Sequence, residues 1–137
     1  MMPVDGLVTV ASALSPKDTM DRVEVEIAAR GMTIFARVDH AGGAEAVGLP
    51  LRPTELLVFG NARGGTPLMQ AVQTIGIDLP LKILVWQEAD GRTWLGYNDP
   101  EWLARRHGLG SQVEATTKAM RAALDAIAQA ATGSRGL

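Results

Sequence analysis

The strongest constraint on the fold is segment 56–69, LLVFGNARGGTPLM, in which an apolar run ends at a glycine and a glycine pair precedes Thr-Pro. The run predicts a buried central strand over residues 55–60. Thr66 suits a helix N-cap, and Pro67 suits the first helical position, because its missing N–H would have no partner there. The segment therefore predicts a strand, a glycine loop and a helix over residues 67–75.

The glycine loop has two interpretations. Gly64 and Gly65 permit positive φ and close backbone approach, and the helix N-terminus after them favours negative charge. With Asn61 and Thr66 they would bind a small anionic ligand through backbone N–H groups. The alternative is a tight turn in which the glycines only satisfy φ, since the spacing matches neither the Walker phosphate loop nor the dinucleotide-binding fingerprint.

Composition excludes several classes of protein. The chain has 137 residues, which suits one domain, and 47% of them are hydrophobic. Its net charge of −2 and the absence of a basic stripe argue against nucleic-acid binding. No cysteine is present, so disulfides and thiolate chemistry are excluded. Without a long apolar run or a signal peptide, we expect no membrane segment and a cytoplasmic location.

Hydrophobic periodicity and turn residues predict the other elements. Strands are expected over residues 6–14, 32–38, 81–87 and 92–97, with an Asp-Gly hairpin turn between the last two. Helices are expected from Ser15-Pro16 to Gly31, over residues 101–107 and from a Ser111/Glu114 capping box to Gly133, with weak turns over 44–47 and a frayed tail over 134–137. The prediction is one α+β domain, with a mixed, mostly antiparallel sheet of about five strands and helices packed on it.

Six short motifs follow one another along the chain: RVDHA at 37–41, GLPLRPTELL at 48–57, FGN at 59–61, GTPLM at 65–69, GIDLPLK at 76–82 and YNDP at 97–100. In order and spacing they resemble the DUF302 family of uncharacterised bacterial and archaeal proteins, over residues 6 to 130. The resemblance implies an α+β domain with an antiparallel sheet and a homodimer, and it implies no activity. The chain departs from the family at Ala62, where proline is common, and at Gly42-Gly43, where helix formers are common.

Polar residues at the strand ends are the candidate site residues. They are Asp39 and His40, Asn61 to Thr66, Asp78 and Lys82, and Tyr97 with Asn98 and Asp99. If these ends converge, backbone amides and Lys82 would hold an anion, and Asp39 or His40 would orient or transfer a proton. Each residue also has a structural explanation, such as a cap at Asp39 or a turn anchor at Asp78. Whether the protein is an enzyme stays open.

Other site chemistries have weaker support. His40, Asp39 and Asp78 would offer nitrogen and oxygen ligands, but no ligand spacing fixes a geometry, so no metal is predicted. No serine lies on a nucleophile elbow, which argues against a Ser-His-Asp enzyme. The sequence indicates no particular cofactor.

The tryptophans bear on the oligomeric state. Trp86 lies inside an apolar strand and is expected in the core, whereas Trp94 and Trp102 need cover from elsewhere. Closed two-fold pairing is the commonest way to bury such surface. We therefore predict a homodimer that buries Trp94 or Trp102, with about 1,600 Å² of total interface. A structural or interaction domain that acts through homodimerisation, without catalysis, is thus the alternative to ligand binding.

Overall fold

The computed structural model describes residues 3–133, which form one five-stranded sheet in the order β1-β5-β4-β3-β2. The strands are β1 (Leu7–Ser12), β2 (Thr33–Asp39), β3 (Thr54–Gly60), β4 (Leu81–Gln87) and β5 (Thr93–Asn98). The helices are α1 (Pro16–Ala29), α2 (His40–Ala46), α3 (Ala62–Ala71), α4 (Pro100–Arg106) and α5 (Glu114–Thr132), with 3-10 helices at Gln73–Asp78 and Ser111–Val113. The expected tail over 134–137 lies outside the described residues.

The predicted fold class is confirmed: a single α+β domain carries a five-stranded sheet with helices packed on it. All four strand pairings are antiparallel, so the sheet is not mixed. The β4–β5 hairpin places Trp86 opposite Trp94. The β3–β4 pairing places Phe59 opposite Leu81, so the end of β3 and the start of β4 lie side by side.

The two long helices cover one face of the sheet. Ser15 caps α1 by accepting a hydrogen bond from the Asp18 N–H at 3.1 Å, as its sequence position predicted. The fully buried side chains of this layer come from α1, α5 and alternate positions of the central strands: Met20, Val23, Ile27, Leu57, Phe59, Ile83, Leu95 and Ile127. Alternation along β3, β4 and β5 therefore directs every second side chain toward α1 and α5.

Arg37 ties the edge of the sheet to α1. Its guanidinium donates to both carboxylate oxygens of Glu55 at 2.9 Å and to Asp21 and Glu24 of α1. Hydrogen bonds from Arg37 to Glu55 contribute most to raising the pKa of Arg37. The three carboxylates therefore hold β2, β3 and α1 together around one cation.

The opposite face of the sheet carries apolar side chains at its centre, together with Thr54 and Lys82, and receives neither long helix. Leu56, Leu84, Trp86 and Trp94 lie half-buried there, and the Trp86 ring lies over Gly96, where an added Cβ would come within 3.0 Å of the ring. The expectation that Trp86 belongs to the core is wrong, because its register places it on the face away from α1 and α5. We call this surface, made by Leu56, Leu84, Trp86 and Trp94, the open face.

The predicted helix start at Thr66-Pro67 is wrong. Asn61 is the N-cap, α3 begins at Ala62, and the Asn61 side chain accepts a hydrogen bond from the Gly64 N–H at 2.7 Å. Pro67 lies inside α3, where it has no N–H to donate to the preceding turn. The glycine pair is therefore helical. The cap at Asn61 starts the helix earlier than the local preferences of Thr66 and Pro67 indicated.

Three other boundaries differ from the expectation. Asp39 caps α2 by accepting from the Gly42 N–H at 2.9 Å, so this helix begins before residue 44. Helix α3 ends at Ala71, and the 3-10 helix Gln73–Asp78 replaces its expected last turn. The Ser111/Glu114 capping box does not form, because residues 111–113 adopt a 3-10 turn without a side-chain cap. Gly133 ends α5 with φ +72°, as expected.

Candidate functional site

A cavity of about 810 Å³ opens at the sheet end where β3 finishes and β4 begins. Helices α3 and α5 form its sides. Its lining residues come from five parts of the chain: Met32 and Phe35; Gly60 to Thr66 with Met69; Gly76; Leu79 to Leu81; and Ala115, Thr116, Ala119, Met120 and Ala123. The region after the central strand, which the sequence nominated, thus borders a real concavity.

The cavity is lined mainly by apolar groups. Met32, Met69 and Met120 contribute three thioethers, and Phe35 contributes an aromatic ring. Methionine side chains are flexible and polarizable, so they adapt to irregular apolar ligands. Such a surface favours an apolar molecule over a hydrated ion.

Arg63 is the one charged residue in the lining. Its side chain is exposed, and within residues 3–133 it makes no ion pair or hydrogen bond. It stands in the first turn of α3, where the helix dipole also favours negative charge. The charge at the edge of the cavity is therefore positive, and no side chain of residues 3–133 forms an ion pair with it.

Small residues create the space inside the cavity. Ala115, Ala119 and Ala123 recur at four-residue spacing along α5, so they lie on one side of that helix. Across from them, a Cβ on Gly64 would lie 3.4 Å from Met120 Cε, and one on Gly76 would lie 3.3 Å from Met69 Sδ. Larger side chains at these positions would displace the methionines or fill the cavity.

The amides of Gly64 and Gly65, which the sequence suggested as anion donors, already have hydrogen-bond partners in the structure. The Gly64 N–H donates to the Asn61 side chain at 2.7 Å, and the Gly65 N–H donates to the Asn61 carbonyl at 3.2 Å. Both amides are thus engaged by the cap of α3. An anion at this end of the cavity would meet the Arg63 guanidinium and the N-terminal dipole of α3.

The predicted ligand-binding residues divide into two groups. Asn61, Gly64, Gly65 and Thr66 line the cavity together. The other three, Asp78, Lys82 and Tyr97, belong to the same end of the sheet but are absent from the lining. The sequence thus indicated the segment after β3 as part of the lining. It did not predict the apolar wall that α5 contributes.

Asp39 and His40 lie toward the other end of the sheet. Asp39 pairs with Glu55 at the start of β3, whereas Lys82 pairs with Val58, three positions farther along and so about 10 Å away. Asp39 caps α2, and His40 is an exposed residue at its start. The expected common cleft is not formed, and the combination of Asp39, His40 and Asp78 as metal ligands has no geometric basis.

Asp78 belongs to a polar cluster that the sequence analysis missed. Arg106 donates to its carboxylate at 2.7 and 2.8 Å, and His107 Nε2 lies 2.6 Å from its Oδ2. His107 Nδ1 lies 2.9 Å from the Thr74 hydroxyl, so His107 spans the 3-10 helix Gln73–Asp78 from end to end. Burial disfavours the Asp78 carboxylate, but the bonds from His107 and Arg106 outweigh it and hold the pKa of Asp78 below its ordinary value.

This cluster fixes one wall of the cavity. Gly76 lies within the 3-10 helix that His107 bridges, and Leu79 is the first residue after that helix. Both residues line the cavity. Lys82 Nζ donates to the Asp78 carbonyl at 3.4 Å, so Lys82 contacts the main chain of Asp78 and not its carboxylate. The arrangement is consistent with a positioning role for Asp78 and His107.

Tyr97 has a structural environment of its own. Its ring is buried, and its hydroxyl donates to Asp125 of α5, which also accepts from Arg121 at 3.1 Å. Burial, followed by the bond to Asp125, raises the pKa of Tyr97. Tyr97 thus links β5 to α5 behind the cavity. Among residues 3–133, no group of three or more His, Asp or Glu side chains is arranged to hold a metal ion.

Comparison with known proteins gives a family and two kinds of relative. Residues 8–127 match the family model described as "Domain of unknown function DUF302". The chain is 47% identical over 128 residues to a protein of Brucella suis biovar 1 named "Fluoride-specific ion channel FluC 1", and equally to a FluC 1 protein of Brucella abortus biovar 1. These alignments cover 93% of the chain and 50% and 47% of the relatives, so the chain spans about half their length.

A solved structure shares the fold. The crystal structure of an uncharacterised conserved DUF302 protein from Bacillus stearothermophilus superimposes with a TM-score of 0.82, covering 93% of this chain and 99% of that one. Sequence identity is 19%, so the likeness concerns the fold alone. Within residues 3–133, none of the helices has the length and apolar character needed to cross a membrane.

Proposed function

This chain belongs to the DUF302 family, and we propose that its domain binds an amphipathic small molecule, with an apolar body and one anionic group. The observation that carries the proposal is the cavity of about 810 Å³ with an apolar lining and a single charged residue, Arg63, at its edge. Cavities that bind small molecules have volumes of about 300–1,000 Å³ and combine apolar walls with a few placed polar groups.

The lining argues for an amphipathic ligand over a bare anion. Met32, Met69 and Met120 would leave a small hydrated ion without partners, because a thioether has no hydrogen to donate and its sulfur is a weak acceptor. An apolar body would instead gain about 25 cal/mol for each Å² that it removes from water. Arg63 supplies the complementary charge, and Thr66 and Thr116 supply hydroxyl groups.

The test is calorimetric titration with 8-anilinonaphthalene-1-sulfonate, an amphipathic anion. Ala119→Phe, which places a ring in the cavity, is expected to weaken binding at least about tenfold, since it removes the apolar contact area. Ala122→Phe is the matched control, because Ala122 is exposed on the same helix and outside the lining. Arg63→Gln is expected to weaken binding about threefold to tenfold.

Unchanged affinity in Ala119→Phe would overturn the cavity as the binding site. Equal losses in Ala119→Phe and Ala122→Phe would show that the probe binds elsewhere on α5. An unchanged affinity in Arg63→Gln would contradict the anionic part of the proposal and leave the apolar part standing.

A second candidate is an interaction domain that acts through the open face, with a second copy of the chain as partner. Its apolar side chains are half-buried, and the buried Nε1 of Trp94 has no hydrogen-bond partner within the described part of the chain. A partner across this face would cover Trp86 and Trp94. This proposal retains the homodimer expected from the sequence.

The Brucella relatives suggest a further partner for the same face. Because the chain matches about half of proteins named as fluoride channels, we extend the second candidate to an accessory role: the aligned half would contact the remaining half of such a protein.

Light scattering across a hundredfold dilution tests the second candidate. The wild type is expected to have twice the mass of one 14.5 kDa chain, and Leu84→Glu on the open face is expected to reduce it to one chain, because a charge cannot be buried there unpaired. A second sample contains the remaining half of the Brucella suis relative in detergent. A single-chain mass in both samples would remove this candidate.

A further inference from the structure

Phe35 occupies an unusual position in strand β2. The pairing of β2 with β3 shifts between Ile34 and Ala36, so Phe35 is an extra residue without a partner on β3. Its side chain is 57% exposed, yet it lines the cavity with Met32. Such bulges re-aim a side chain at the cost of local strand pairing, and they are frequent beside binding sites.

The bulge and the exposed ring have no explanation within the described chain. The neighbouring Ile34 packs against the core on the side of α1 and α5. In a regularly paired strand, the side chain of residue 35 would therefore point to the opposite face of the sheet. An aromatic ring over a cavity offers a flat contact that a ligand ring can stack against. Across the cavity, the Gly64-Gly65 backbone and the alanines of α5 are also surfaces without protruding side chains.

We propose that Phe35 is the specificity-determining residue of the cavity and that the ligand is a planar aromatic anion. This inference rests on the proposed function and narrows it. The ligand ring lies between Phe35 and the wall of α5, while its anionic group lies at Arg63, whose charge has no other partner among residues 3–133. A flexible acyl chain of equal charge would use Arg63 and gain little from the Phe35 ring.

The experiment compares two carboxylates, 2-naphthoate and decanoate, by calorimetric titration. The wild type is expected to bind 2-naphthoate more tightly than decanoate. Phe35→Leu is expected to weaken naphthoate binding about fivefold, because a contact between two aromatic rings contributes beyond the apolar area that it buries, and to leave decanoate binding unchanged. Phe35→Tyr is expected to retain the preference. Val38→Ala is the control, since Val38 is an exposed apolar residue of β2 outside the lining.

Each contrary result identifies what fails. Tighter binding of decanoate, or an equal loss of both carboxylates in Phe35→Leu, overturns the aromatic ligand and leaves the proposed function intact. Absence of binding by both carboxylates and by the sulfonate probe overturns the proposed function as well. A change of mass on light scattering in Phe35→Leu, with naphthoate binding unchanged, assigns Phe35 to an interface with a second copy.

Discussion

Replacing Gly6 by alanine is expected to lower the free energy of unfolding by about 3 kcal/mol. Gly6 has φ +76°, a conformation that costs an L-residue about 1–2 kcal/mol. An added Cβ would also overlap the Trp102 ring, with Cε3 at 2.6 Å. The Asp99 N–H donates to the Gly6 carbonyl at 2.7 Å, so the backbone has little freedom to move away.

Gly31→Ala is the matched control for this prediction. Gly31 has φ +73°, close to that of Gly6, but nothing lies within 4 Å of an added Cβ. Its substitution should therefore cost only the backbone strain of about 1–2 kcal/mol. Urea denaturation of both variants separates the strain from the clash, and equal losses would show that Trp102 moves aside without cost.

A double variant examines the same contact from the other side. If the Trp102 ring is the obstacle, Trp102→Ala should reduce the additional loss caused by Gly6→Ala, so that the two changes are less than additive. Strict additivity would contradict a direct contact between Gly6 and Trp102. The result also concerns the packing of Trp102. The sequence suggested no neighbour for this side chain, and its ring packs against Gly6 of the same chain.

The strands could be predicted because local pattern decides them. Strand β4 was expected over residues 81–87 and is found at Leu81–Gln87, since a proline precedes an apolar run and an Asp-Gly turn follows it. Start signals of helices are less certain when two compete. Asn61 and Thr66 both suit an N-cap, and the helix begins at the earlier one, where α3 packs against α5 and the neighbouring 3-10 helix.

The candidate site could be predicted only in part, because strand order is a long-range property. Two neighbouring antiparallel strands finish at opposite ends of the sheet. Asp39 at the end of β2 and Asn61 after β3 therefore cannot meet once β2 pairs with β3. The α5 wall and His107 come from residues distant in sequence. Their apolar or isolated character resembles ordinary core or surface, and nothing local marks Ala119 or His107 as part of a site.

The second large effect is expected at Asp78, whose side chain is 15% exposed and accepts from Arg106 and His107. Asp78→Asn should lower the free energy of unfolding by about 2 kcal/mol at pH 7, because hydrogen bonds to charged groups contribute about 1.5–3 kcal/mol. The substitution keeps the shape of the side chain and removes its charge. Thermal or urea unfolding of the variant and the wild type measures the difference.

The loss should depend on pH in one direction. Since folding lowers the pKa of Asp78, the carboxylate stabilises the fold fully above its unfolded pKa of about 3.9 and loses this contribution as pH falls through the folded value. The difference between wild type and Asp78→Asn should thus be constant near neutrality and shrink below about pH 4. Glu114→Gln is the control: Lys118 also lowers the pKa of Glu114, but both side chains of this pair are exposed and no measurable loss is expected. A loss in Asp78→Asn that persists unchanged at acidic pH would mean that the negative charge of Asp78 is not what stabilises the fold.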